Sequence, residues 1–174
     1  SWSQRITITP VAVTEGSAVN LTSTRVTMKS AKAGNSCSGL KLKSSAACGK
    51  IADQWTIPGL TLPSLFQKLG ISTSSSTFVK VDVESYECEL LPSWYDWLQK
   101  AVSKPTLRVS FHGPNVRECS AEQYAGIKRV GALYKHIYMN GQIATLNPKS
   151  QDDVIFTDHH LEVGVSTMKI DNIA

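Results

Sequence analysis

The sequence lacks long apolar runs and strong charge. Of its 174 residues, 41% are hydrophobic and only 18% are charged. No apolar run approaches the ~20 residues of a transmembrane helix, so we expect no membrane span. The net charge of +4 is too small to indicate a dedicated nucleic-acid-binding domain, and the hydrophobic content excludes an acidic disordered chain. We expect one domain over residues 1–174, long enough to bury a core without a metal ion or a disulfide.

The sequence also lacks the motifs of common catalytic sites. It contains no GxSxG elbow, no P-loop and no HExxH motif, and no Cys/His cluster has zinc spacing. His159 and His160 are adjacent, but neighbouring strand residues point to opposite faces, so the two imidazoles are not expected to share one metal ion. A solvated surface is the simplest interpretation of the acidic residues near the end, Asp153 and Asp158 among them. We therefore predict no enzyme activity, no cofactor and no metal site.

The four cysteines permit two states. Cys37–Cys48 and Cys88–Cys119 bridges are possible in an oxidising compartment, whereas free buried thiols suit a cytosolic protein. We favour free thiols, because a chain of this length needs no covalent cross-links. Asn20 begins an Asn-Leu-Thr glycosylation sequon, which favours secretion only weakly because such triplets are common.

Charge alternates in sign along the chain. Residues 1–50 carry seven basic residues against one acidic residue, and residues 101–150 are also net basic, while the two remaining blocks are net acidic. A polarised surface that meets a complementary copy or a polyanion explains this pattern, and so do ordinary solvated faces. The predicted phosphate contacts, if nucleic acid is bound, are Arg5, Arg25, Lys29, Lys32, Lys41 and Lys43.

Alternating apolar residues predict strands along much of the chain. The strongest lies at 78–84, with Val79, Val81 and Val83 toward the core. After a bulge at Ser85, the alternation of Tyr86, Cys88 and Leu90 predicts that the strand continues. Other strands are expected at 4–13, 19–28, 106–111, 154–156 and 161–170, and Asn140-Gly141 predicts a hairpin turn. The predicted core is Ile6, Ile8, Val79, Val81, Val83, Val109, Leu161, Val163 and Val165.

Three short helices are expected in the connections. Thr61 and Gly70 bracket a helix over 62–69, which presents Leu62, Leu65, Phe66 and Leu69 on one face. Two others are predicted at 92–100 and 121–129. Because strands dominate and no strand–helix–strand series repeats, the sequence predicts a mainly β fold, a single antiparallel β-sandwich or jelly roll.

Two features of the sequence together form a pattern of a known family. The first is a short helix before a strand of the form Phe78-Val79-Lys80-Val81-Asp82-Val83-Glu84-Ser85-Tyr86. The second is a final strand from Leu161 to Ile170. It resembles the jelly-roll shell domain of small RNA-virus coat proteins, over residues 55–90 and 154–174. The middle departs from that family, because the 58 residues after Val116 are few for the strands that remain. The absent initiator Met and polybasic arm fit a shell with a disordered N-terminal arm, and equally a trimmed chain.

The resemblance implies a structural capsid protein of the virion. Copies of the chain would form a homo-oligomeric shell whose inner surface neutralises genomic RNA without sequence specificity. The alternative is a secreted or cell-surface β-sandwich module that binds a ligand through its loops, which paired cysteines and a glycosylated Asn20 would favour. The mass of the native particle discriminates between the two functions.

Overall fold

The computed structural model of the protein describes residues 9–16, 24–31, 38–39, 51–73, 77–83, 86–111, 119–146 and 153–161. These residues form two β-sheets and four helices, so the fold is mixed α/β. The strands are β1 (Ala12–Thr14), β2 (Thr24–Ala31), β3 (Ser38–Gly39), β4 (Ile51–Thr61), β5 (Phe78–Val81), β6 (Thr106–Ser110), β7 (His136–Met139), β8 (Gln142–Ile143) and β9 (Asp153–Thr157). The helices are α1 (Leu62–Leu69), α2 (Glu87–Ser93), α3 (Tyr95–Lys100) and α4 (Ala121–Gly131).

The first sheet has the order β1-β4-β2-β3 and is built around β4. This long strand pairs with β2 in antiparallel and with β1 in parallel orientation. The sequence pattern did not predict β4, because Pro58 and Gly59 indicate a break. Pro58 is accommodated just before the stretch paired with β1, which begins at Gly59.

The second sheet has the order β5-β6-β9-β7-β8. Helices α2 and α3 lie in the connection between β5 and β6, which pair in parallel, and β9 inserts antiparallel between β6 and β7. The hairpin of β7 and β8 turns at Asn140 and Gly141, with φ of 51° and 78°. The predicted Asn-Gly hairpin is therefore confirmed.

One hydrophobic core joins the helices to one face of the second sheet. Helix α1 extends this core from the end of β4, through Leu62 and Phe66. The Phe66 ring meets the Trp97 ring edge to face, with the ring centroids 5.3 Å apart. The fully buried members from the second sheet and α2–α4 are Leu90, Leu91, Leu98, Leu107, Val109, Ile127, Val130, Val154 and Phe156.

The predicted mainly β, antiparallel β-sandwich or jelly roll is shown only in part, because the fold is mixed α/β. Two sheets are present, but β1–β4 and β5–β6 are parallel pairs, and the helices cover one face of the second sheet. The physical reason is the crossover through α2 and α3, which returns the chain to the end of the sheet where β5 began. That residues 1–174 form a single domain stays a prediction.

The prediction that Tyr86, Cys88 and Leu90 continue the strand is wrong. These residues begin α2. Their alternation is also compatible with a helix, because Leu90, Leu91 and Trp94 supply apolar neighbours at helical spacing, and all three are buried. Core packing of the helix decided between the two periodicities.

The helix boundaries largely confirm the capping signals. Thr61 accepts a hydrogen bond from the Ser64 N–H at 3.3 Å, and Gly70 ends α1 with φ of 65°. Ser120 and Gln123 form a reciprocal capping box at the start of α4. The predicted burial of the apolar face of α1 is confirmed for Leu62 and Phe66, whereas Leu69 at the end of the helix is exposed.

The predicted core is confirmed for two of its residues. Val81 and Val109 are buried, while Val79, Val83 and Leu161 are partly buried. Ile6, Ile8, Val163 and Val165 lie outside the described residues, as does the expected bulge at Ser85.

Cys88 and Cys119 form a disulfide, with Cα atoms 5.5 Å apart and a sequence separation of 31. The interpretation of free thiols is therefore wrong for this pair. Chain length alone does not predict whether cysteines pair. The bridge joins α2 to the residue before Ser120, which caps α4. Cys37 and Cys48 lie outside the described residues.

The contact between α2 and α4 requires glycine at position 126. A Cβ added there would lie 2.6 Å from Pro92 Cβ, and the pyrrolidine ring cannot move aside. At Gly131 an added Cβ would lie 3.1 Å from Ile137 Cδ1, the far end of a flexible side chain. We expect Gly126→Ala to lower the free energy of unfolding by about 1–3 kcal/mol, despite its better helix propensity. Chemical denaturation should show a smaller loss for the control Gly131→Ala, and equal losses would contradict the packing model.

Candidate functional site

Within the described ranges, the helices pack on one face of the second sheet and leave its other face uncovered. Because strand residues alternate, Phe78, Thr106, Ile155 and Tyr138 lie on this open face, opposite the core residues. On this face, each of the two edge strands carries one exposed large apolar side chain. Phe78 of β5 is 59% exposed, and Ile143 of β8 is 61% exposed. The open face is therefore the surface of this sheet that is accessible to a ligand.

A cleft lies where β5 and β6 begin on the open face. Its volume is about 190 Å³. Seven residues line it: Thr77, Phe78, Lys104, Thr106, Ile155, His159 and Leu161. The strands provide the floor, and the segment after β9 provides one wall.

Two hydrogen bonds to the Tyr138 hydroxyl position that wall. The Leu161 N–H donates to the Tyr138 oxygen at 2.9 Å, and the same oxygen lies 3.3 Å from His160 Nδ1. The His159 N–H donates to Thr157 Oγ1 at 3.1 Å, which turns the chain at the end of β9. Tyr138 is consequently buried under this segment, although its strand face is open elsewhere.

An ion pair between Lys104 and Asp158 closes the end of the cleft. Lys104 Nζ lies 2.7 Å from Asp158 Oδ2 and also stands over the Tyr134 ring, 5.6 Å from its centroid. The Lys135 N–H donates to Asp158 Oδ1 at 3.1 Å. The aspartate therefore accepts from two segments and joins the turn after α4 to the turn after β9.

The surroundings shift the pKa values of two acidic groups at this end, the Asp158 carboxyl and the Tyr134 hydroxyl, in opposite directions. Burial acts to raise the pKa of Asp158, but the hydrogen bonds and positive charge of Lys104 and the Lys135 N–H lower it below its usual range. Burial raises the pKa of the Tyr134 hydroxyl well above its usual range, and the nearby Asp158 charge adds to this effect. Asp158 is thus a stable carboxylate and Tyr134 a neutral donor to the Pro105 carbonyl at 3.0 Å.

A second ion pair lies further along the open face. Arg108 donates to Asp153 Oδ2 at 2.6 Å, and Ser110 donates to Asp153 Oδ1 at 2.7 Å. Burial acts to raise the pKa of Asp153, but these bonds and the charges of Arg108 and Lys80 lower it. The two ion pairs compensate charge on this face, so the cleft favours an uncharged or apolar group over a bare ion.

The predicted phosphate contacts are only partly within the described residues. Arg25 and Lys29 both belong to β2, and the Arg25 side chain is exposed. The other four lie outside the described residues: Arg5, Lys32, Lys41 and Lys43. A phosphate interface over this set stays a prediction.

The histidines are not arranged as the strand pattern predicted. His159 and His160 lie in the turn after β9, where His159 lines the cleft and His160 meets the His136 ring with centroids 5.6 Å apart. The expected shared face of His136 and Tyr138 is confirmed on β7. Within the described part of the chain, no group of three or more His, Cys, Asp or Glu side chains is placed to hold a metal ion.

The cleft residues escaped the sequence analysis because most are ordinary strand or turn residues. Phe78 and Thr106 lie 28 positions apart in sequence and become neighbours only through the parallel pairing of β5 with β6. The one available signal was Lys104-Pro105 before a strand, which resembles many other turns.

Comparison of the chain with models of known protein families, with curated protein sequences and with solved structures finds no match in any of the three. Function must therefore be inferred from the geometry. Among the described residues, no helix is both long and apolar enough to cross a bilayer.

The low pKa of Asp158 predicts how stability depends on pH. A carboxylate whose pKa is lowered in the folded state stabilises the fold above its unfolded pKa, and this contribution is lost as the pH falls through the folded value. Lys104→Met should therefore lower the urea midpoint at about pH 7, and its difference from wild type should shrink below about pH 3. Lys100→Met, which replaces an exposed lysine at the end of α3, is the control. A Lys104→Met deficit that persists unchanged in acid would contradict this account.

Proposed function

We propose that the chain is a binding module that works in an oxidising compartment and holds an apolar group of its ligand in the cleft. The observation that carries the proposal is the Cys88–Cys119 disulfide. Structural disulfides persist in secreted, lumenal and cell-surface proteins and are rare in the reducing cytosol. This corresponds to the extracellular alternative among the functions that the sequence suggested.

The position of the disulfide favours a structural rather than a redox role. Cys88 is buried in α2, and Cys119 is partly buried at the start of α4. The bridge therefore reinforces the same helix pair that meets at Gly126 and Pro92. A buried bridge between core helices is protected from thiol exchange, because an attacking thiolate must reach one of its sulfur atoms.

The cleft matches part of a ligand better than a whole one. At about 190 Å³ it is smaller than typical pockets for drug-sized ligands, which begin near 300 Å³. Phe78, Ile155 and Leu161 are its apolar lining residues, while the Thr77 hydroxyl donates to the Ser72 carbonyl and the Thr106 hydroxyl shares a hydrogen bond with Thr157. A single large apolar side chain or ring suits this volume, as anchor residues do in protein interfaces.

Binding rather than catalysis fits the chemistry of the site. Lys104 is engaged by Asp158, and the Tyr138 hydroxyl already accepts from the Leu161 N–H. These groups support the walls of the cleft, and that role explains them without a reaction. The proposal accordingly assigns no catalytic residue and no cofactor.

The second candidate is the coat-protein function, and the edges of the second sheet favour it. Phe78 on β5 and Ile143 on β8 expose large apolar side chains on the two edge strands, which is where copies of a chain can pair. Three features of such a coat protein stay predictions: the jelly-roll arrangement, the virion location and RNA contacts through residues such as Arg25. Particle mass across a salt series discriminates: a megadalton particle that releases RNA as salt rises supports the coat protein, and a stable monomer supports the module.

The disulfide proposal predicts a large stability loss on its removal. For a loop of this length, the Cys88→Ala/Cys119→Ala double variant should lose about 3–4 kcal/mol of unfolding free energy. Guanidinium titration of this variant, compared with wild type with and without reductant, measures the loss. Reduced wild type should match the double variant. Two free thiols at these positions in protein isolated from its native source, found by alkylation and mass spectrometry, would refute the oxidising compartment.

The cleft proposal predicts that small apolar rings bind on the open face. Titration with indole should shift the amide resonances of Phe78, Thr106 and Ile155 together in a ¹H–¹⁵N spectrum. Ile155→Trp should fill the cleft and abolish these shifts, whereas Ile143→Trp, at the far edge of the same face, should preserve them. Shifts spread over the whole surface, or equal loss in both variants, would count against the cleft.

A further inference from the structure

One end of the molecule concentrates exposed apolar side chains. Of the six large apolar side chains that are most exposed among the described residues, four belong to the segments that meet there. Val102 is 100% exposed, Phe78 59%, Leu69 39% and Ile71 38%. Single exposed apolar residues are normal on protein surfaces, but a cluster of them is not.

Hydrogen bonds bring these segments together. The Thr77 hydroxyl donates to the Ser72 carbonyl at 3.1 Å, which holds the residues after α1 beside the start of β5. The Thr106 N–H donates to the Thr77 carbonyl at 2.9 Å, which holds the turn after α3 beside the same strand. Ile71 after α1, Phe78 at the start of β5 and Val102 in the turn after α3 therefore lie in three neighbouring segments. We call the surface formed by these three residues and Leu69 the apolar end.

The same end is positively charged. Lys68 and Lys100 occupy the last turns of α1 and α3, where cations also complement the helix dipole. Lys104 and Lys135 follow in the adjoining turns, and Lys104 pairs with Asp158, which is the acidic residue found there within the described part of the chain. Among the described residues at this end, the four lysines outnumber Asp158, so the segments that carry the exposed apolar side chains are net basic.

We infer that the apolar end docks on the surface of an anionic lipid bilayer. Apolar side chains that project from separate turns can enter the headgroup region independently, whereas a protein partner requires a continuous matching surface. Peripheral attachment generally needs two signals, a buried apolar contact and attraction between basic residues and anionic lipid. The apolar end carries both, and it needs no membrane-spanning helix.

This inference goes beyond the proposed function and does not require it. Membrane docking depends neither on the Cys88–Cys119 bridge nor on a ligand in the cleft, although Phe78 contributes to both surfaces. A failure of indole binding would leave docking intact, and a failure of docking would leave the cleft intact. The two proposals therefore have separate tests.

The experiment is co-sedimentation of the purified chain with vesicles of phosphatidylcholine alone and with about 30% phosphatidylserine. We expect at least about tenfold stronger partitioning onto the anionic vesicles, which weakens as salt rises. Val102→Asp and Ile71→Asp should each reduce this partitioning by about tenfold. Ile143→Asp is the matched control, since Ile143 is 61% exposed on the opposite edge strand, and it should stay within about twofold of wild type.

A second measurement separates insertion from surface adhesion. In Val102→Trp, brominated lipid should quench the fluorescence of the new tryptophan. The loss of fluorescence should exceed that of the wild-type chain, which carries only the native tryptophans. Absence of binding to anionic vesicles, or an equal loss in Ile143→Asp, would overturn the inference. A wild-type chain that self-associates but does not bind vesicles, and that loses self-association in Val102→Asp, would also overturn the inference. That result would assign the apolar end to a second copy of the chain.

Discussion

The burial of one face of the second sheet under α2, α3 and α4 is the constraint on which the rest of the described structure depends. Leu98, Val109, Ile127 and Phe156 are fully buried across this interface, so each helix position is set by contacts with the strands. Core side chains of this kind contribute several kcal/mol each when cavity formation is included. Because the helices occupy only one face, the other face is left for a cleft and a crossing segment.

This arrangement separates the stabilising contacts from the proposed binding surfaces. The disulfide and the close approach of Gly126 to Pro92 reinforce α2 and α4, which form the covered side of the sheet. The cleft and the apolar end lie instead where β5 and β6 begin, at turns that tolerate exposed side chains. Leu69 illustrates the division, since α1 buries Leu62 and Phe66 in the core but presents its last apolar residue to solvent.

Local signals predicted those elements whose chemistry is contained in a few neighbouring residues. Thr61 and Ser120 cap helices, Asn140-Gly141 turns a hairpin, and β5 alternates as its valines indicate. The strand assigned to Tyr86 through Leu90 failed because a five-residue alternation does not distinguish a strand from a helix whose apolar face is wide. Strand β4 was missed because proline has no N–H to donate and therefore fits a strand only where one side of it is unpaired. Pro58 pairs with Arg25 of β2, and the pairing with β1 on the other side begins only at Gly59.

The sequence by itself determined the helix caps at Thr61 and Ser120, the Asn140-Gly141 turn, the charge of each segment and the presence of cysteines able to pair. It did not determine which cysteines approach, which strands pair in parallel, or which face stays open. Those outcomes depend on contacts between residues far apart in the chain, such as Phe78 with Thr106 and Arg108 with Asp153. Only the tertiary structure decided that Lys68, Lys100 and Val102 share one end, because separate helices and turns carry them there.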